Sequence, residues 1–303
     1  MKILANDGMD KNAVAYFEKQ GIPVNLEHYD KETLKIEGPK YDIIIVRSKT
    51  KVTKDVIDAL KQGRTKLIIR AGVGLDNIDL PYCAECGISV RNTPNSSKHS
   101  VAELVLGQML NMARYINRAD YSMKEGQWKK KELKGFEIRN KTLGIIGYGR
   151  IGKCLAEKAK ALGMEVLCYD PFCHQDANAK KIELEDLFRR SDFVSVHTPS
   201  LSTPIITEET LKLMEGGYLI NYSRGNAVDE EALIQALRDG VIAGAALDVF
   251  RNEPNVNQEF FTMDNVTLTP HIGAATEEAQ QNIGQEIIEV IEDYTRTLQE
   301  VAG

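Results

Sequence analysis

Thr142-Leu143-Gly144-Ile145-Ile146-Gly147-Tyr148-Gly149-Arg150-Ile151-Gly152 is the stretch on which the fold turns. An apolar run meets a Gly-x-Gly-x-x-Gly turn, and Ile151, Leu155, Ala159 and Leu162 then recur at helical spacing until Gly163 stops the pattern. A second apolar run, Glu165–Tyr169, ends at Asp170, 18 residues beyond Gly152. Strand, glycine turn, helix, strand and acid thus follow in the order a dinucleotide site requires. Gly147 permits the tight turn, Gly149 lets backbone N–H groups approach a pyrophosphate, and Gly152 lets the helix lie close to its strand. The phosphates would sit at the positive end of the helix dipole. Asp170 would accept hydrogen bonds from ribose hydroxyls, and its charge would repel a 2′-phosphate, so NAD is expected over NADP.

Working outward, short apolar runs alternate with helical patterns on both sides of this stretch. The earlier series is Lys2–Ala5, Pro23–Leu26, Tyr41–Val46, Lys66–Ile69 and Ile88–Val90. The later one continues through Phe193–Val196, Tyr218–Ile220, Ile242–Leu247 and Val266–Thr269. This is the rhythm of βαβ units, and two series imply two open, doubly wound parallel sheets rather than one barrel. Between the series, Ser100-Val101-Ala102-Glu103 reads as a capping box opening a long helix through about Asn117. After the last run, Thr276-Glu277-Glu278 reads as a helix start, with Ile283, Ile287, Ile291, Tyr294 and Leu298 on one face. That helix needs a partner, and a return to the first sheet supplies one. The expected organisation is a discontinuous substrate-binding domain, 1–97 with 277–303, holding an inserted dinucleotide-binding domain, 98–276.

Composition narrows the function classes. Lys+Arg is 38 and Asp+Glu is 44, so the formal charge is −6, and a net-acidic chain repels nucleic acid and anionic membrane. No apolar run approaches the ~20 residues of a spanning helix, and the amino terminus turns polar too soon for a signal segment. Five cysteines cannot all pair and are too sparse for a disulfide scaffold, so a reducing cytoplasm is the expected compartment. Cys83-Ala84-Glu85-Cys86 has CxxC spacing without a second ligand pair nearby, so no metal site is expected.

Hydride transfer from a secondary alcohol needs a base for the hydroxyl proton and a cation for a carboxylate or developing oxyanion. Three segments offer such groups just past strands. They are Asn221-Tyr222-Ser223-Arg224-Gly225, Asp248-Val249-Phe250-Arg251-Asn252-Glu253-Pro254 and Thr269-Pro270-His271-Ile272-Gly273-Ala274. The carboxyl ends of parallel strands face the ligand crevice, which lets Arg224, Glu253 and His271 converge. Each also has a plain reading, as a surface ion pair, a loop marker or a structural histidine. Pattern alone leaves the base open between His271 and His197.

A resemblance adds to this. Arg70–Asp79 (RAGVGLDNID), Asn92-Thr93-Pro94, the Ser100–Glu103 box and the glycine turn, with Ile220–Leu233 (INYSRGNAVDEEAL), Ala246–Pro254 (ALDVFRNEP) and Thr269–Thr276 (TPHIGAAT), resemble the D-isomer-specific 2-hydroxyacid dehydrogenase family in its order. Val46–Thr53 (VRSKTKVT) and Thr276-Glu277-Glu278-Ala279-Gln280 look most like its D-3-phosphoglycerate dehydrogenase branch. The resemblance implies a Rossmann NAD-binding domain inserted in a flavodoxin-like one. It implies His271 as acid/base, Glu253 as its partner, and Arg224 on the substrate carboxylate with the Gly72-Val73-Gly74 turn. It implies Arg150 and Ile151 at the pyrophosphate and Asp170 at the ribose. Thr198, Tyr222, Ser223, Asp248, His271, Ile272, Gly273 and Ala274 fall around the nicotinamide, with His197 a pocket neighbour. Ser223, Val73 and Ser200 depart from the family's commoner residues, and Val73 lacks a side-chain donor.

The implied reaction is NAD-dependent oxidation of D-3-phosphoglycerate to 3-phosphohydroxypyruvate, the first step of serine synthesis. The same resemblance admits a glyoxylate or hydroxypyruvate reductase, a D-lactate-type dehydrogenase or, in another class, an NAD-sensing corepressor-like scaffold. A phosphorylated substrate would need local positive charge. Arg47 and Lys49 alternate after a strand and would face one way if extended, and Lys129-Lys130-Lys131 with Lys134 is a second basic patch. A homodimer through the cofactor domain, with the Ser100 helix at the contact, is expected by resemblance. The chain ends 32 residues after His271, so the regulatory domain of longer relatives, and serine feedback through it, is expected to be absent.

Overall fold

The computed structural model describes residues 1–302, with the side chains of Leu298, Gln299, Val301 and Ala302 outside the description. The chain divides into two compact units, Met1–Ser97 with Ala275–Gly303, and Lys98–Ala274.

The first unit carries β1 (Ile3–Ala5), β2 (Val24–Asn25), β3 (Ile43–Val46), β4 (Leu67–Arg70) and β5 (Ser89–Asn92), all parallel, in the order β2-β1-β3-β4-β5. This is the flavodoxin-like order. Strand alternation divides its core in two. Ile3, Ala5, Ile43, Ile45, Leu67 and Ile69 pack against Phe17 of one helix and Ile283, Ile287 and Ile291 of another, Glu277–Ala302. Leu4, Ile44, Val46 and Ile68 face the other way, onto Leu34, Val56, Ile57 and Leu60. Both faces being covered, the strands read as unbroken apolar runs. Thr276 Oγ1 accepts from the Ala279 N–H at 3.1 Å and caps the Glu277–Ala302 helix.

The second unit carries β6 (Thr142–Ile146), β7 (Glu165–Tyr169), β8 (Lys180–Lys181), β9 (Phe193–Val196), β10 (Tyr218–Asn221), β11 (Gly244–Leu247) and β12 (Val266–Leu268). They form one parallel sheet, β12-β11-β10-β9-β6-β7-β8. Read from β6, this is the Rossmann order with its switch point between β6 and β9. Leu143, Ile145, Phe193 and Ile220 face the helices Lys98–Arg114 and Arg150–Ala161, while Ile146, Val194, Leu219 and Ala245 face Leu184–Arg190 and Glu230–Arg238.

Three local expectations need correction. Ser100 is not a cap. The helix starts at Lys98 and Ser100 is buried inside it, because Val101, Ala102 and Val105 pack into the core, while Glu103 turns to Lys158 at 2.9 Å. That helix stops at Arg114, since Tyr115 takes a left-handed backbone (φ 55°) before a second helix, Ile116–Lys124. The two-residue edge strand β8 escaped the pattern because two lysines carry no apolar signal.

Candidate active site

Every chemistry-bearing segment of the seven-stranded unit follows the carboxyl end of a strand. Asp170 follows β7, the glycine turn β6, Thr198 β9, Arg224 β10, Asp248 β11 and His271 β12. In a parallel sheet all such ends share one edge, so six loops line up in strand order.

The glycine turn is constrained by sterics. Gly147 has φ 91°, and a Cβ there would meet the His197 carbonyl carbon at 2.7 Å. A Cβ on Gly152 would strike the Gly147 carbonyl, whereas Gly149, which caps the Arg150–Ala161 helix, has open space around it. Arg150 and Ile151 form that helix's first turn. Asp170 already braces the turn, its Oδ2 accepting from the Tyr148 N–H at 2.9 Å and its Oδ1 from the Phe172 N–H at 2.8 Å. Each oxygen keeps a second acceptor position. Next door, the buried Thr198 Oγ1 and His197 Nδ1 have no hydrogen-bond partner among the described residues. Open space over a helix N-terminus, flanked by an acid after β7 on one side and an unsatisfied hydroxyl after β9 on the other, fits a dinucleotide.

Asn221 at the end of β10 organises the Arg224 loop. Its Nδ2 donates to the Arg224 carbonyl at 2.9 Å, and its Oδ1 accepts from the Ser223 N–H at 3.2 Å and Oγ at 2.8 Å. Arg224 Nη1 donates back to the Ser223 carbonyl at 2.7 Å. Buried Asp248 does the same for the loop after β12, accepting from Thr269 Oγ1 at 2.6 Å and from the Ile272 and Gly273 N–H groups at 2.9 Å each. Those bonds and the His271 N–H to the Asp248 carbonyl (2.9 Å) hold His271 in a left-handed backbone (φ 54°) that a non-glycine residue adopts only when its surroundings impose it.

The His271 imidazole Nδ1 lies 2.7 Å from Glu253 Oε2, and Glu253 Oε1 accepts from the Phe250 N–H at 3.0 Å. Burial works against the charged form of Glu253. The His271 hydrogen bond, the Phe250 amide and the charges of His271 and Arg224 outweigh it, so the carboxyl titrates below its ordinary range. Arg224, Glu253 and His271 therefore belong to one electrostatic cluster despite their separation in sequence. With Nδ1–H donated to Glu253, Nε2 is the ring nitrogen that carries no proton in the neutral imidazole. The other candidate histidine differs. His197 Nε2 meets Ser195 Oγ at 2.8 Å, and burial pushes its pKa down to about 4, so it is neutral at physiological pH.

Tyr222 and Asp248, both expected near the nicotinamide, are buried within this unit. Tyr222 is buried in the core, its hydroxyl on Thr269 Oγ1 at 3.2 Å and its pKa pushed by burial up to about 12. Asp248 Oδ1 takes two of the loop's hydrogen bonds and Oδ2 takes one. These side chains shape the edge from behind. Asn221, read from sequence as the first residue of the segment past the Tyr218–Ile220 run and given no role, emerges as a loop organiser; its signal, a buried amide beside Ser223 and Arg224, needs coordinates to be seen.

The five-stranded unit holds the remaining expected residues. Arg47 is half-buried and Lys49 exposed, past the end of β3. Burial lowers the Arg47 pKa, partly offset by the Asp7 carboxylate. The turn after β4 corrects one expectation. The Gly72 N–H donates to the Arg70 carbonyl at 2.9 Å and Gly72 has φ 143°, so its amide is already used. Those of Val73 and Gly74 have no such acceptor among the described residues. Lys129, Lys130, Lys131 and Lys134 lie in an exposed loop after the Ile116–Lys124 helix.

Comparison with known proteins agrees with this geometry. The profile described as "D-isomer specific 2-hydroxyacid dehydrogenase, NAD binding domain" matches residues 106–273. The chain is 44% identical over 298 residues to the hydroxypyruvate reductase of Thermotoga maritima, covering 96% of this chain and 97% of that one. It is 43% identical over 306 residues to the D-3-phosphoglycerate dehydrogenase of Methanocaldococcus jannaschii, covering 98% of this chain but 58% of that longer relative. In structure it resembles D-lactate dehydrogenase from Aquifex aeolicus complexed with NAD and lactic acid, with a TM-score of 0.84 and 29% identity over 99% of this chain and 97% of that one. The chain belongs to the D-isomer-specific 2-hydroxyacid dehydrogenase family, with its NAD-binding domain in the seven-stranded unit.

Proposed function

We propose that this chain is an NAD-dependent D-2-hydroxyacid dehydrogenase acting on D-3-phosphoglycerate to give 3-phosphohydroxypyruvate, the first step of serine synthesis. The observation that carries the class is the His271–Glu253 pair at 2.7 Å with Arg224 acting electrostatically on the same carboxylate. NAD, held by the glycine turn, Asp170 and Thr198, supplies the acceptor for the C2 hydride. His271 Nε2 takes the hydroxyl proton on oxidation and returns it on reduction. Glu253 keeps the ring's other nitrogen engaged, fixes its orientation and favours the imidazolium that results. Arg224 binds the substrate carboxylate and polarises the carbonyl in the reductive direction. The amides of Val73 and Gly74 add donors for the carboxylate, and Arg47 and Lys49 bind the phosphate.

A second reading, reduction of unphosphorylated hydroxypyruvate, draws on the Thermotoga relative, which this chain matches along 97% of its length. The two differ in one phosphate. Rates of NADH formation across D-2-hydroxy acids with and without phosphate, and of NADH oxidation with the matching keto acids, distinguish them. A kcat/KM at least tenfold higher for the phosphorylated member of each pair supports the first reading, and the reverse order replaces it with the second.

We also propose a cytoplasmic homodimer. No helix among the described residues is long and apolar enough to cross a membrane, and all five cysteines are free. Leu110, Ile116, Tyr121, Met123 and Trp128, the last 77% exposed, give the 98–135 segment an apolar surface suited to a second copy.

A further inference from the structure

Two segments resembling the phosphoglycerate-dehydrogenase branch, Val46–Thr53 and Thr276–Gln280, have no evident reason in sequence to depend on each other. The first unit joins them. Arg47 Nη2 donates to Gln280 Oε1 across 233 residues of chain. Gln280 stands in the first turn of the Glu277–Ala302 helix, whose Ile283, Ile287 and Ile291 are packed into the sheet, so its amide is held from behind.

Arg47 is held at its backbone as well. The Asp7 carboxylate, only 4% exposed, accepts from the Arg47 N–H at 2.7 Å, the Thr50 N–H at 3.2 Å and Thr50 Oγ1 at 2.8 Å. Asn77 Nδ2 donates to the Arg47 and Thr50 carbonyls at 2.7 Å each. The loop Arg47–Thr50 is thereby fixed at both ends. With Asn6, Asp7, His28 and Lys49, Arg47 lines an open pocket of about 410 Å3 at the carboxyl ends of β1 and β3, the switch point of this sheet.

We propose that Gln280 and Asp7 are positioning residues for substrate selection, which together hold Arg47 as a fixed reader of a phosphoryl group. The proposal rests on the phosphorylated-substrate reading above. Its physical basis is the difference between an amide and a carboxylate at position 280. An amide oxygen orients the guanidinium and leaves its charge intact, and the fork's remaining N–H donors stay aimed in a fixed plane for a tetrahedral oxyanion. A carboxylate there would orient the same fork but neutralise it.

The test compares kcat/KM for D-3-phosphoglycerate with that for D-glycerate in the full chain, in Gln280→Ala, Gln280→Glu, Arg47→Ala and the Gln280→Ala/Arg47→Ala double variant. Loss of one hydrogen bond to a charged group predicts a selectivity ratio about tenfold lower in Gln280→Ala, carried by KM rather than kcat. Gln280→Glu lowers the ratio further while keeping the fold. The double variant matches Arg47→Ala alone, because the amide acts only through the guanidinium. Multiplying losses in the double variant, or equal losses on both substrates in Gln280→Ala, overturn the proposal. A drop in Arg47→Ala with Gln280→Ala at wild-type selectivity overturns it and spares the phosphate reading. A wild-type ratio near one that ignores Arg47→Ala overturns both.

Discussion

Glu253→Gln is the sharpest probe of the acid/base pair, since it replaces a charged acceptor with a neutral one of the same shape. In the wild type, Glu253 Oε2 meets His271 Nδ1 at 2.7 Å, short enough for a charge-assisted bond. Such a bond contributes about 1.5–3 kcal/mol when one partner is ionised. The two side chains are 40% and 35% exposed, so solvent screens part of it and the lower end applies. About 1.4–2 kcal/mol of lost stabilisation of the protonated imidazole is a fall of about 10–30-fold in kcat/KM. NADH affinity, read by fluorescence titration, stays within about twofold, because the substitution keeps the side chain's shape and leaves an acceptor for the Phe250 amide and the His271 ring. Turnover within about twofold of wild type, or NADH binding weakened in step with turnover, would refute the reasoning. An acid stability profile gives a second readout. The folded Glu253 carboxyl titrates below its ordinary value, so its contribution to stability is complete above that value and is lost as pH falls through the folded pKa. The Tm difference between wild type and Glu253→Gln therefore closes towards acid and persists at neutral pH.

Three further outcomes follow from the same coordinates. Gly147→Ala forces a side chain into φ 91° and a Cβ to 2.7 Å from the His197 carbonyl carbon, so NADH binding falls by more than tenfold with a lowered Tm; normal binding would contradict the assigned turn. Asp170→Ala loosens the Tyr148 and Phe172 amides and removes the charge facing a 2′-phosphate, so the NAD-over-NADP ratio of kcat/KM drops by about tenfold or more, and an unaltered ratio removes Asp170 from cofactor selection. Trp128→Glu places a charge on a 77%-exposed apolar side chain of the 98–135 segment; light scattering should then report a smaller assembly, and an unchanged mass would move the interface elsewhere.

Local chemistry made much of this molecule legible. The glycine turn, its strand and its acid lie within about thirty residues, so periodicity and spacing over a short stretch are enough to read the motif. The unbroken apolar runs announced strands covered on both faces, and such strands are parallel. Where reading failed, packing had overruled local preference. The Ser100–Glu103 pattern satisfies a capping rule worth roughly 1 kcal/mol, yet Val101, Ala102 and Val105 bury into the core and draw the helix start to Lys98.

The sequence by itself determined most of the strands and helices and where the glycine turn lies, because these follow from periodicity and the conformational range of single residues. Only the tertiary structure showed what the two histidines meet, a carboxylate 18 residues away for His271 and a serine two residues away for His197. It alone showed Tyr222 and Asp248 turned inward, and Gln280 reaching Arg47. Such facts depend on which strands lie side by side in the sheet, an arrangement set by the free energy of burying all these surfaces at once.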